Sequence, residues 1–289
     1  MKKIYIFFFL LVGFTNLYGQ ELEIKEELTN EEDEIIDLLL GEESIEDFIK
    51  SATNIQFLYF TVDYNNNTYF SGRDIGTDQF NTNPQISYIN SNGFFAGLSS
   101  IYFSQFSPKW DYVAATVGYG KNFGKDKKYR WTSSYAKYFF TDNTDDNPFK
   151  NAFSLGLEVD NKSKTLGTEL TTTYLFGDDE SFQIVSSSYA QIDLHKSKNY
   201  HLKFRPQLNI IVADQTIQLA QINNGSISYI TNNDFGLLNT QLQVPLQLNV
   251  SDFDFEFGFT VNVPSPLEGE SNLGITTNFN FSIGYLLEL

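Results

Sequence analysis

Two histidines, His195 and His201, are the only imidazoles in 289 residues, and cysteine is absent. That inventory bounds the chemistry before any element is placed. Without a thiol there are no disulfides, thiolate nucleophiles or zinc–thiolate sites. A serine hydrolase acting on membrane lipid needs an imidazole beside a hydroxyl on the face that meets the lipid. His195 falls instead in a lysine-rich turn with Lys196 and Lys198, and His201 has the polar phase of its segment, beside Leu202 and Phe204 of the apolar phase. Both read as polar turn and lumen residues, so no catalytic residue is assigned and lipid hydrolysis is a minor alternative. The run Asp142-Asn143-Thr144-Asp145-Asp146-Asn147 carries oxygen ligands of the kind Ca²⁺ takes. It lacks the spacing and closing Glu of an EF-hand and reads as a solvated acidic loop, so no metal is assigned. No phosphate-cradling glycine loop or dinucleotide fingerprint occurs, and no cofactor is expected. With 36 acidic against 19 basic residues the net charge is -17. A nucleic-acid partner, which needs a basic footprint, is excluded on that ground.

The charged residues that remain are organised by an alternation of period two. Leu238, Thr240, Leu242, Val244, Leu246, Leu248 and Val250 alternate with Asn239, Gln241, Gln243, Pro245, Gln247 and Asn249. After the turn Ser251-Asp252, Phe253, Phe255, Phe257, Phe259, Val261 and Val263 alternate with Asp254, Glu256, Gly258, Thr260 and Asn262. Such alternation marks strands with one apolar and one polar face. Glu158, Glu169, Lys203, Arg205, Asp254 and Glu256 all fall on polar faces. If the polar faces enclose a lumen, these residues line it, pair across it and set a transverse field. Arg73 and Asp74 lie in the irregular stretch from Tyr69 to Phe80, which reads as a folded loop that narrows the opening.

The elements that position them are about twelve strands, with ten or fourteen as alternatives, near 54–64, 84–90, 93–104, 109–121, 128–140, 150–160, 165–176, 181–194, 199–213, 236–250, 253–264 and 272–288. The link 214–234 has room for a short hairpin, and Pro206 and Pro245 require local bulges because each removes a ladder donor. The strands are long against the roughly 5–6 residues usual in soluble sheets and match the roughly 9–11 that a tilted spanning strand needs. Their polar faces are rich in Ser, Thr, Asn, Gln and Gly. Short turns alternate with longer loops. Lys125, Lys127, Lys128, Lys162, Lys164, Lys196 and Lys198 sit in the short turns, while Asp142, Asp145, Asp146, Asp178, Asp179, Glu180, Glu268 and Glu270 sit in the loops. A sandwich would bury the apolar faces against each other. Length, polar composition and turn parity favour a closed antiparallel transmembrane barrel instead. Tyr129, Trp131, Phe139 and Tyr285, with Trp110 and Phe149, are placed for interfacial girdles.

The last strand ends on Phe281, Ile283, Tyr285, Leu287 and Leu289, an alternating apolar tail that reaches the final residue. Here the chain resembles the outer-membrane β-barrel family of Gram-negative bacteria, and its Phe/Tyr/Asn-rich composition is similar to that of barrels from Bacteroidota. The resemblance is one of pattern over residues 53–289. It implies an all-β barrel domain, and it implies that these five residues form the signal read by the barrel-assembly machinery. Leu289 stands where the family usually has Phe.

Residues 1–19 have the secretory pattern: Lys2 and Lys3, an apolar run Ile4 to Val12, and Gly19 before the cut. Residues 20–52 form an acidic periplasmic segment, with short apolar clusters at Ile35–Leu40 and Ile45–Ile49, that serves as a linker or as a plug. The expected protein is exported to the outer membrane, with lipids as its surroundings. There it allows passive diffusion of small polar solutes through a narrow, mixed-charge lumen. The alternative is a non-conducting structural or interaction barrel with a plugged lumen. Solute and oligomeric state are not written in the pattern.

Overall fold

A computed structural model of the chain describes residues 55–74, 76–141, 149–223, 226–267 and 273–289. The export signal, the acidic segment, the oxygen-rich run Asp142–Asn147, and Glu268 and Glu270 lie outside the described residues.

Twelve antiparallel strands form one closed sheet. In chain order they are β1 (Gln56–Asn65), β2 (Asn81–Asn90), β3 (Phe94–Phe103), β4 (Trp110–Phe123), β5 (Tyr129–Phe140), β6 (Phe149–Asp160) and β7 (Leu166–Gly177). Then follow β8 (Glu180–Ala190 and Ile192–Lys196), β9 (His201–Phe204 and Gln207–Asn223), β10 (Ser226–Gln243 and Leu246–Val250), β11 (Phe253–Pro264) and β12 (Thr276–Glu288). Each strand pairs with its chain neighbours. The ring closes where β12 pairs with β11 on one side and with β1 on the other, from Phe57 opposite Glu288 to Asn65 opposite Asn280. Closure matters because an open edge would leave a row of backbone donors and acceptors unpaired. Among the described residues the only helical turn is Lys125–Lys127, within the β4–β5 turn.

Sequence alternation becomes an inside and an outside. On β6, Phe153, Leu155, Leu157 and Val159 are exposed while Ala152 and Asp160 are buried. The same split runs round the wall: Val62, Leu98, Val117, Leu170, Ile210 and Phe257 are exposed, whereas Asn209, Thr260, Asn262 and Asn278 are buried. The apolar positions therefore do not meet in a dry centre, and the sandwich reading is excluded. Rings gather at both ends of the outer face. Tyr119–Trp131 and Phe123–Tyr129 lie toward the short turns, with centroids 5.7 and 5.4 Å apart. Tyr102–Trp110 and Tyr174–Phe176 lie toward the loops.

The wall departs from the sequence expectation at three places. Pro206 and Pro245 sit in breaks of β9 and β10, level with the break at Gln191 in β8. The neighbouring ladder continues through carbonyls: Ala190 N donates to Pro206 O at 3.0 Å, and Arg205 N donates to Pro245 O at 3.2 Å. Leu238 does not continue the outward row of Leu242 and Leu246. The β9–β10 register slips at that point, with Ile211 opposite Asn239 but Val212 opposite Leu237. Leu238 is the extra residue of a bulge and is buried. Finally, the hairpin that 214–234 has room for is present but is not a separate short one. Both strands run on through it, paired from Ala213–Gly236 to Asn223–Ser226.

Candidate functional site: a polar bore with two charged and neutral levels

Glu158 and Glu169 face inward because they share the phase of Ser154, Gly156 and Thr171. Arg130, Glu158 and Glu169 stand opposite one another on β5, β6 and β7. Thr171 Oγ1 donates to Glu169 Oε1 at 3.1 Å. Across the bore, Lys203 is 0% exposed, and it stands opposite Gln247, which in turn stands opposite Glu256. Gln247 Nε2 and Asn280 Nδ2 both donate to Glu256, at 3.0 and 3.1 Å. Asp254 accepts from Asn249 Nδ2 at 2.8 Å and from Tyr59 Oη at 3.4 Å. The Arg205 guanidinium lies over the Tyr189 ring, 4.0 Å from its centroid, and Tyr189 Oη donates to Asp160 Oδ1 at 2.9 Å. All six charged residues singled out from sequence thus lie on the inner face, in the half nearer the short turns.

Glycines make room for these groups. A Cβ on Gly284 would lie 2.3 Å from Tyr59 Oη, and one on Gly167 would lie 2.3 Å from Asp160 Oδ1. Sequence reasoning missed Arg130, Tyr59 and Asp160. Arg130 was legible: it shares the phase of Thr132 and Ser134, between the outward rings Tyr129 and Trp131. Tyr59 was not legible, because a tyrosine is equally at home on an aromatic girdle.

Arg73 and Asp74 belong to a two-rung ribbon, Tyr69–Phe70 with Arg73–Asp74, between β1 and β2. The ribbon is seated on the loop-side end of β10 to β12. Arg73 Nη1 donates to Leu238 O at 3.3 Å and Arg73 Nη2 donates to Ser265 O at 2.7 Å. Thr276 Oγ1 donates to Gly72 O at 2.7 Å, and Tyr69 Oη donates to Thr277 O at 3.0 Å. The Leu238 carbonyl is shared, accepting also from Ser265 N at 2.9 Å. Gly72 has φ +80°, and a Cβ there would lie 2.7 Å from the inward side chain of Asn239. A residue with a side chain would be strained at that φ and would also clash.

Below the ribbon much of the inner face is neutral, with Asp63 of β1 as a charged exception that accepts from Ser282 Oγ. Amides from β9, β10 and β11 form a chain: Gln207 Nε2 donates to Asn209 Oδ1 at 2.7 Å, Asn209 Nδ2 to Gln241 Oε1 at 2.9 Å, and both Gln241 Nε2 and Asn239 Nδ2 to Asn262 Oδ1 at 3.0 Å. A second set joins Asn278, Asn65 and Asn81.

His201 is 1% exposed and its Nε2 lies 3.0 Å from Asp193 Oδ1. Its Nδ1 has no hydrogen-bond partner among the described residues, so no hydroxyl is activated by it. His195 stacks on Tyr200, centroids 5.1 Å apart, at the short-turn rim. The terminal tail keeps one phase: Phe281, Ile283, Leu287 and Leu289 are exposed, and Tyr285 in the same row packs on the exposed Phe253 at 4.9 Å.

The class defined by these features is a closed twelve-stranded antiparallel barrel with an apolar exterior and a polar bore. No family model and no curated protein matches the chain. Solved structures similar to it include the NanC porin, at 12% identity over 79% of this chain and 98% of that one, with a TM-score of 0.45. An outer membrane channel from Pseudomonas putida F1 is 9% identical over 82% of this chain and 96% of that one, TM-score 0.45. LpxR from Salmonella typhimurium is 9% identical over 79% and 99%, TM-score 0.43.

Proposed function

We propose that this chain is an exported outer-membrane barrel that lets small polar solutes diffuse passively through a narrow bore. One observation carries the reading: inward side chains are mostly polar, and large apolar side chains are exposed on the outer face round a closed wall. That inversion is stable where the outside is hydrocarbon and the inside is wet. Twelve strands lie between the filled interior of eight and the open channel of sixteen, so the side chains set the bore. In this reading the short turns face the periplasm and residues 1–19 direct export. The apolar tail from Phe281 to Leu289 serves the barrel-assembly machinery.

Single-channel recording on reconstituted full-length protein tests it. Discrete conductance steps are expected. Their absence, both in the full chain and after deletion of residues 20–52, would overturn the reading. Complete burial of Lys203 favours a second reading, a barrel that does not conduct. Conductance that appears only after the deletion would select its plugged form.

Two further outcomes are expected. The folded barrel migrates at a different apparent size before and after boiling in detergent, and recovery as a soluble protein without detergent would defeat the membrane placement. The charges of the short-turn half set ion preference. Replacing Asp254 and Glu256 by Asn and Gln shifts the reversal potential toward anions, and Lys203→Met shifts it toward cations, both read in a salt gradient.

A further inference from the structure

We propose that the loop-side half of the bore is a binding vestibule for uncharged, hydroxyl-rich ring solutes of mono- to disaccharide size. The inference rests on the channel reading and gives it a substrate class. A cavity of about 650 Å³ lies beneath the Tyr69–Asp74 ribbon, and among the described residues no charged side chain lines it. That volume falls in the range of roughly 300–1,000 Å³ that small-molecule sites occupy. Its lining has two characters. Asn65, Gln241, Asn262 and Asn278 present amides from one arc of the wall, while Phe103 and Phe106 present rings.

An amide offers two donors and two acceptor lone pairs, and the hydrogen bonds among these side chains use only part of that capacity. Asn239 lines the cavity at 1% exposure under Gly72 and supports the wall, donating to Asn262. A solute matched to both sides of the cavity carries hydroxyls along an edge and C–H groups on a flat face. A sugar ring has that form. A charged solute gains nothing from the described lining, which offers no counter-charge to offset its desolvation. The ribbon closes over one side through the Gly72–Asn239 contact, so the vestibule and the narrowing loop are one structure.

The test uses full-length protein in detergent micelles, probed by saturation-transfer NMR with sucrose, sodium glucuronate and glucosamine hydrochloride at equal concentrations. Sucrose is expected to show the strongest transfer. The double variant Gln241→Leu, Asn262→Leu should weaken it about tenfold, the loss of two neutral hydrogen bonds. Asn278→Ser, a milder change that keeps a donor and an acceptor, should weaken it less, and Lys162→Gln on an exposed turn should not change it. Heat-modified mobility identifies which variants are folded. Equal transfer from all three probes, or undiminished sucrose transfer in the folded double variant, would overturn the proposal. Bilayer recordings keep it separate from the channel reading. Sucrose transfer without conductance defeats the channel and leaves the site. Conductance without sucrose transfer defeats the site and leaves the channel.

Discussion

Leu155→Arg is expected to cost about 2–4 kcal/mol of folding free energy, the penalty for a guanidinium on the lipid side at mid-depth of a barrel wall. Leu155 is central in β6 and 48% exposed on the outer face. Its neighbour Ser154 faces the bore, where its Oγ lies 2.9 Å from Thr173 Oγ1. Ser154→Arg should therefore fold, with a far smaller cost, and should lower conductance by adding bulk and charge to the bore. Urea titration in detergent or lipid, followed by the heat-modified mobility shift, measures both. The contrast between adjacent positions is the decisive part. If Ser154→Arg proves the more damaging, the inside and outside of the wall have been exchanged.

Arg73→Ala is expected to widen the opening. The guanidinium donates to the carbonyls of Ser71, Leu238 and Ser265, and it is the main polar tie between the ribbon and the β10–β11 wall. Hydrogen bonds from a charged donor contribute about 1.5–3 kcal/mol each. Losing about 2 kcal/mol from the seated state shifts the balance between seated and released ribbon by roughly thirtyfold. Single-channel conductance should rise, with added flicker as the ribbon moves. Gly72→Val should act in the same direction by a different cause, since its Cβ cannot share space with Asn239. Unchanged conductance in both variants would show that the ribbon does not limit flow.

Much of this architecture was readable from residue order, and the reason is physical. A strand has a side-chain period of two, so one polar row in a barrel must face the bore throughout its length. Glu158, Glu169, Lys203, Arg205, Asp254 and Glu256 could be placed from that rule alone. The rule fails where an extra residue enters. Leu238 looked like one more member of the outward row, and only the cross-strand register shows the slip that buries it. Pro206 and Pro245 announced local trouble, but not that it would fall at one level in adjacent strands. The seat of Arg73 depends on the carbonyl of Leu238, 165 residues away, and no local pattern encodes that meeting. Asn239 and Asn262 read in sequence only as members of polar rows, and Asn65 and Asn278 carry no local signal of their own. Their joint placement on one neutral arc needed the closure of β12 against β1.

The long β9–β10 pair has a consequence for how the molecule meets its surroundings. Pairing with β8 stops at Ala213, and pairing with β11 stops at Asn239. Beyond Asp214, which still accepts from Ser181 and Phe182 of β8, the two strands pair only with each other among the described residues, for nine residues from Gln215 to Asn223 on one side. At about 3.4 Å per residue such a ribbon extends roughly 30 Å past the last three-stranded contact. Among the described residues no further strand pairs with either of its edges. In the proposed orientation, an antibody or a phage arriving from outside would touch it before it reached the mouth.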